Sequence, residues 1–210
     1  MNRSILIVIC DFLLVSLLAF STVSEECRLA LHVAGLPFED ERLTHDQWAA
    51  RKASTPFGAL PVLATDGRQL AQSNAILRFI GSQHGLHPVE PFEAALHESL
   101  MCAVEDLRTR MGPIIRIKDE AEKKRARQEA AGGYLQEWGA AIERQIGAGP
   151  YLAGMKLCVA DLKLFVAAGA YLKGTVDYIP TDVFGAFPKL LRLVEAVKQH
   201  PRVVGWYARK

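Results

Sequence analysis

The stretch from Ser54 to Ile80, STPFGALPVLATDGRQLAQSNAILRFI, constrains this chain more than any other. Thr55-Pro56-Phe57-Gly58 is a turn, with proline presetting φ and glycine free to take positive φ. Leu60-Pro61-Val62-Leu63 is a short apolar strand, Asp66-Gly67 a two-residue hairpin signal, and Gln69-Leu70 the start of the return strand. Ser73 is expected to cap a helix whose apolar positions are Ala75, Ile76, Phe79 and Ile80. Pro61 lacks the N–H that a ladder needs, so it belongs at a strand start or edge, and cis bonds in folded proteins are nearly always X–Pro bonds. A cis Leu60–Pro61 bond would turn the Leu60 N–H and C=O outward, toward an extended peptide. Gln72-Ser73 at a helix N-terminus adds a hydroxyl, an amide and unpaired N–H groups that suit a carboxylate. Together these features fit a small acidic peptide.

Around this stretch the chain reads as a larger α/β unit. Glu25 and Glu26 favour a helix start, Thr22-Val23-Ser24-Glu25 has a capping-box pattern, and CRLALHVAG runs to a stop at Gly35. Phe38 to Leu43 is a half-exposed strand, and Thr44 or His45 begins a short helix that carries Trp48 and Lys52. The order β-α-β-α-β-β-α is thioredoxin-like and needs a first strand before Cys27. Ile5–Cys10 or Leu13–Phe20 supplies it. The same apolar run, MNRSILIVICDFLLVSLLAF, also reads as a membrane-associated leader or a cleaved signal. Against both, Asp11 interrupts it, no AxA-like site follows, and the run falls short of the ~20 residues of a spanning helix.

Composition excludes more than it selects. The 210 residues are 50% hydrophobic, enough for a large core, and a formal net charge of +2 gives no footprint for nucleic acid. The cysteines (Cys10, Cys27, Cys102, Cys158) form no CxxC pair, which fits reduced thiols better than a disulfide framework. His32, His84, His97 and His200 are dispersed, so no metal site is expected.

PFGALPVL, then DG, then LAQSNAILRFIG resembles the glutathione-binding half of cytosolic glutathione S-transferases, in a sigma- or pi-like branch. The resemblance runs from about Cys27 to the C-terminus. It implies an α/β thioredoxin-like N-terminal domain followed by an all-α C-terminal domain. The implied division is 1–24 as an atypical apolar leader supplying strand one, 25–86 as the glutathione-binding domain and 87–210 as the helical domain. Trp48 and Lys52 match positions at the glycine end of glutathione, Leu60 and Pro61 those beside the cysteinyl backbone, and Gln72 and Ser73 those at the γ-glutamyl end. Asp106, within VEDLR, matches an acid that reaches the γ-glutamyl amine across a dimer interface; its bland alternative is a surface carboxylate paired with Arg110. Phe57 matches an aromatic that some branches insert into a partner subunit, which implies a homodimer. The co-substrate is glutathione, with no metal; the second substrate is a small apolar electrophile. The implied location is the cytoplasm, with membrane contact through residues 5–20 as the alternative.

The family pattern breaks at the thiol. The sigma, pi, mu and alpha branches lower its pKa with a tyrosine hydroxyl near the end of strand one, but the first tyrosine here is Tyr134. The tyrosine position falls at Leu17 or Leu18, neither of which donates. Theta- and delta-like branches place a serine three residues before a similar Cys-Arg pair, which points to Ser24, with Ser21 and Thr22 as further donors. Ser24 as a plain helix cap is the competing reading, and Cys27 as a nucleophile is a third. The implied function is glutathione transfer to hydrophobic electrophiles. The alternatives are a catalytically weak glutathione-binding protein of the same fold, a glutathione-dependent isomerase, or a membrane-tethered interaction module.

In the helical half, Leu96, Leu100, Val104, Leu107 and Met111 recur at helical spacing. Asp119 to Gln145 is expected as one long helix, weakened or bent at Gly132-Gly133. YLAGMKLCVADLKLF resembles the family's buried helix, with Asp161 in its capping motif and Cys158 where Ser or Thr normally stands. The acceptor pocket is expected around Met111, Ile114 and Trp206.

Overall fold

A computed structural model of the chain describes residues 15–19 and 24–209. The described residues form a four-stranded sheet in the order β2-β1-β3-β4. Its strands are β1 (Ser16–Ala19), β2 (Glu39–Arg42), β3 (Val62–Thr65) and β4 (Arg68–Ala71). β1 pairs parallel with β2 and antiparallel with β3, and β3 pairs antiparallel with β4. Strand one therefore comes from within Leu13–Phe20 and is central. The other candidate, Ile5–Cys10, lies outside the described residues, as do Ser21 and Thr22. The hairpin turn between β3 and β4 has φ +52° at Asp66 and +68° at Gly67, the pair of positive values that a type I′ turn requires.

Helix α1 (Glu25–Ala34) ends as the glycine signal predicts. Gly35 takes φ +76° and donates to His32, while the Leu36 N–H reaches back to Leu31 at 3.0 Å, which is a Schellman stop. Its start differs from expectation. Ser24 stands at the N-cap with φ +71° and its hydroxyl makes no cap bond. Arg28, fully buried on α1, pairs with Asp40 of β2 at 2.8 Å and so ties helix to sheet edge. Helix α2 (His45–Arg51) starts with the reciprocal Thr44–Gln47 capping box, and a 3-10 turn follows at Lys52–Ser54.

Helix α3 (Ser73–Gln83) corrects two expectations. Gln72, with φ +75°, is the cap residue, and Ser73 is the first helical residue, with its hydroxyl directed elsewhere. The buried stripe is Ile76, Leu77, Ile80 and Gly81, and Phe79 is exposed. Contact of α3 with both α1 and α7 rotates the stripe: a Cβ on Gly81 would sit 3.1 Å from Val159 of α7.

The remaining helices are α4 (Pro91–Ile115), α5 (Glu120–Gly132), α6 (Tyr134–Gln145), α7 (Val159–Leu172), α8 (Pro188–Gln199) and α9 (Pro201–Tyr207). None of the helices among the described residues is long and apolar enough to cross a membrane. Glu90 caps α4 by accepting from the Phe92 and Glu93 N–H groups. The expected long helix is two, because Gly133 leaves helical geometry (φ −111°, ψ −99°) and breaks it outright. Helix α7 is buried almost all round, as its apolar sequence demands. Its start is held by Asp161, whose carboxylate accepts from the Leu152 and Cys158 N–H groups at 2.8 Å each. Asp161 is thus structural.

His97 of α4 and His87 of the preceding link are both buried, with ring centroids 6.2 Å apart, and the Nδ1 of each lacks a partner. Burial, and then the neighbouring His87, hold His97 down to about 4 from 6.5. A base whose folded pKa is depressed stabilises the fold above its unfolded pKa and loses that contribution as pH falls toward the folded one. Stability is therefore expected to drop between pH 6.5 and about 4 through this group. Urea midpoints of the wild type and His97→Asn across that range check it: the wild type should show the steeper decline, and equal slopes would remove His97 as a cause.

Candidate active site

The cis Leu60–Pro61 bond, the starts of α1 and α3, the middle of α4 and one side of α7 meet around a cavity of about 600 Å3. Its wall comprises Ser24, Glu25, Glu26, Ala59, Leu60, Pro61, Gln72, Ser73, Glu105, Arg108, Ile115 and Val166. Each element presents what its local structure frees. The β3 ladder begins at Val62, so Leu60 lies outside it. The first backbone bond of α3 is from Ile76 N–H to the Gln72 carbonyl, 3.0 Å. The amides of residues 73 to 75 therefore precede it and carry the positive end of the helix dipole.

A charged network forms one side of this wall. The Lys163 ammonium, fully buried within α7, donates to Ser73 Oγ at 3.0 Å and, in short contacts, to Asn74 Oδ1 and Glu105 Oε1. The Ser73 hydroxyl donates to Glu105 at 3.2 Å. Arg108 donates to Glu105 at 3.0 Å and to the buried Glu26 at 2.7 Å. Two carboxylates thus face two cations. Burial opposes ionisation of Glu105, but its contacts with Lys163, the Arg108 charge and the Ser73 hydrogen bond together hold its carboxyl below the usual range. Among the described residues, two oxygens of this wall are buried without a partner: Ser24 Oγ and Glu26 Oε2.

Of the residues expected from sequence, Ser24, Leu60, Pro61, Gln72 and Ser73 converge on this cavity. Trp48 and Lys52 do not line it. Trp48 is half-buried on α2, and the exposed Lys52 lays its stem over Gly58. Asp106 is exposed on another face of α4, at a separate concavity with Thr109, Arg110, Pro113 and Ile114. Arg110, its expected partner, lies over the Tyr134 ring, 5.7 Å from the centroid. The acceptor-side expectation also changes. Met111 is in the core, Ile114 faces the Asp106 concavity, and Trp206 donates to Glu25 at 2.7 Å while lining a different hollow. Ile115 and Val166 supply the apolar wall instead. Cys27 is no nucleophile: it is fully buried, and burial followed by the Glu26 charge pushes its thiol far up. Leu17 is buried and Leu18 half-buried on β1, and neither lines the cavity.

Sequence reasoning missed Glu105, Arg108 and Lys163, and read Glu26 as a helix-start charge rather than as a partner of Arg108. One signal was available: Lys163 is the lone cation in the apolar run VADLKLFVAAGA, and a lysine buried there requires a partner.

The matches to known proteins agree with this geometry. The family model for the glutathione S-transferase N-terminal domain matches residues 18–88, and that for the C-terminal domain matches residues 105–210. The chain belongs to the glutathione S-transferase family. It is 30% identical to glutathione S-transferase 1 of Ascaris suum, over 90% of this chain and 91% of that one. The crystal structure of the monomeric Na-GST-3 of the hookworm Necator americanus, also 30% identical, superposes with a TM-score of 0.84 over 94% of this chain and 98% of that one. The hematopoietic prostaglandin D synthase of Gallus gallus is 26% identical over 89% of this chain and 90% of that one.

The Glu26–Arg108 pair gives a direct test of the network. Arg108→Met strands a carboxylate that is 1% exposed, at a cost of about 3 kcal/mol. Adding Glu26→Gln should recover most of that loss. Urea unfolding of the single and double variants measures both, and a single variant as stable as the wild type would show that the pair does not hold this wall together.

Proposed function

We propose that this chain is a glutathione transferase that conjugates the glutathione thiolate to small hydrophobic electrophiles, a detoxifying role in the cytoplasm. The observation that carries the reading is the cavity itself. A peptide edge at Leu60–Pro61 and a helix start at Gln72–Ser73 share it with the unpartnered Ser24 hydroxyl. In this reading the Leu60 backbone, beside Pro61, pairs with the cysteinyl residue, and Gln72 and Ser73 hold the γ-glutamyl end. Trp48 and Lys52, outside the cavity wall, close on the glycine carboxylate, for which both are suitable donors. Ile115 and Val166 offer the electrophile an apolar surface. The chain divides into 25–86 and 87–210, with strand one supplied from 1–24.

Catalysis requires the thiolate, and a free thiol titrates near ~8.5. We assign Ser24 as the donor that stabilises it: its Oγ is buried, unpartnered and in the cavity wall. The Glu26 carboxylate disfavours a thiolate nearby, and its Arg108 partner offsets that charge. Ser24→Ala should lower kcat/KM by about tenfold, equivalent to about 1.4 kcal/mol of transition-state stabilisation. The pH–rate profile should shift upward while glutathione affinity stays within about twofold. Turnover of a chloronitrobenzene beside calorimetric glutathione binding decides it; full activity in Ser24→Ala would exclude this donor. Tight binding without turnover in the wild type would favour the catalytically weak glutathione-binding protein, for which the absence of a tyrosine before Tyr134 argues. The avian prostaglandin synthase relative makes glutathione-dependent isomerisation the other activity to assay.

The role of Asp106 requires a second copy, because its side chain is exposed away from the cavity of its own chain. Phe57, 69% exposed, fits an anchor into such a copy. Light scattering should give twice the mass of one chain, and Phe57→Asp should shift it toward one. A wild-type mass of one chain at every concentration would exclude the dimer, as the Necator relative described as monomeric illustrates.

A further inference from the structure

Lys163 has no part in the reading above, yet it is the most costly group behind the cavity wall, against Ser73 and Glu105, which line it. An ammonium with no exposed surface, in a helix buried almost all round, must be compensated by hydrogen bonds and opposite charge. Its partners are the two first residues of α3, Ser73 and Asn74, and Glu105 of α4. A hydroxyl can accept and donate at once. Lys163 is an obligate donor, so it takes up an acceptor site of Ser73 Oγ and leaves that hydroxyl its proton to give away. In the structure the proton goes to Glu105 at 3.2 Å.

We propose that Lys163 is a positioning residue for the γ-glutamyl α-carboxylate of glutathione: it orients the Ser73 hydroxyl as a donor and sets a positive charge behind it. This rests on the reading that Gln72 and Ser73 hold the γ-glutamyl end. When that carboxylate arrives, it replaces Glu105 as the acceptor of the Ser73 proton. Glu105 keeps Arg108 at 3.0 Å and its contact with Lys163, so the exchange strands no charge. Asn74, which accepts from the same ammonium, fixes Lys163 against the helix start rather than against Glu105 alone.

The test is a binding cycle with two ligands: glutathione, and γ-aminobutyryl-cysteinyl-glycine, the same peptide lacking the α-carboxylate. Lys163→Met removes the charge and keeps an unbranched side chain only one atom shorter. The glutamate left behind is 43% exposed and still paired with Arg108, so the fold should survive. Calorimetry should show Lys163→Met weakening glutathione by about tenfold, the scale of a lost charge-assisted hydrogen bond. The analogue should change by less than about twofold, as expected of a contact it never makes. Ser73→Ala, which strands no buried charge, should discriminate in the same way, and the double variant should be no worse than the worse single.

Wild-type-like glutathione affinity in Lys163→Met overturns the proposal. So does equal loss of both ligands by a variant that melts like the wild type, or a Ser73→Ala that does not separate the two ligands. A purely structural lysine would move the melting temperature without separating them. If the wild type binds glutathione but Lys163→Met does too, only the role of Lys163 falls. If the wild type binds neither ligand, the glutathione reading falls with it.

Discussion

The ammonium of Lys163 is the point on which the junction between the sheet and the helical bundle depends. Helix α7 is buried nearly all round, so a charge within it has no route to water and must be answered by protein groups. The answer comes from α3 through Ser73 and Asn74 and from α4 through Glu105. Glu105 then engages Arg108, and Arg108 reaches Glu26 at the start of α1. One buried cation therefore connects α1, α3, α4 and α7, the helices that enclose the cavity. Hydrophobic packing alone would hold these helices together without fixing the height of α3 along α7. A hydrogen-bonded ion network is directional, and it sets that height at the first residue of α3.

The same network gives the cavity its electrical character. Its four charges balance, so the wall has strong local polarity without a net field from these groups. Ser24 Oγ and Glu26 Oε2 are buried without partners. Leaving a buried polar atom unsatisfied is unfavourable in a folded chain, and such atoms in a cleft are a common mark of a ligand's place. Both lie where α1 begins and share the cavity with Leu60–Pro61, the edge that the proposed reading gives to the cysteinyl residue.

Much of the fold is legible in the sequence because it rests on local chemistry. The Asp66-Gly67 turn, the stop at Gly35, the Thr44 cap and the cis Leu60–Pro61 edge each follow from the conformational range of a few residues. Where neighbours compete, local reading fails. Ser73 has the chemistry of an N-cap, but Lys163 and Glu105 claim its hydroxyl. Phe79 fits a helical stripe, but contact with α7 turns Leu77 inward in its place. Gly132-Gly133 reads as a weak point, and only the assembled bundle shows a complete break there.

The sequence by itself determined the thioredoxin-like order of elements, the cis-proline edge at Leu60–Pro61 and the helix start at Gln72–Ser73, since each is encoded within a few consecutive residues. The tertiary structure decided which α4 acid faces the cavity. Asp106 and Glu105 are adjacent, and one residue of helix rotates a side chain by about 100°, so only the docked face of α4 selects Glu105. It also decided the partners of Lys163, which lie 58, 89 and 90 residues away in the chain. No local pattern encodes contacts at that distance, and they exist because a buried charge must find its complement wherever the fold brings one near.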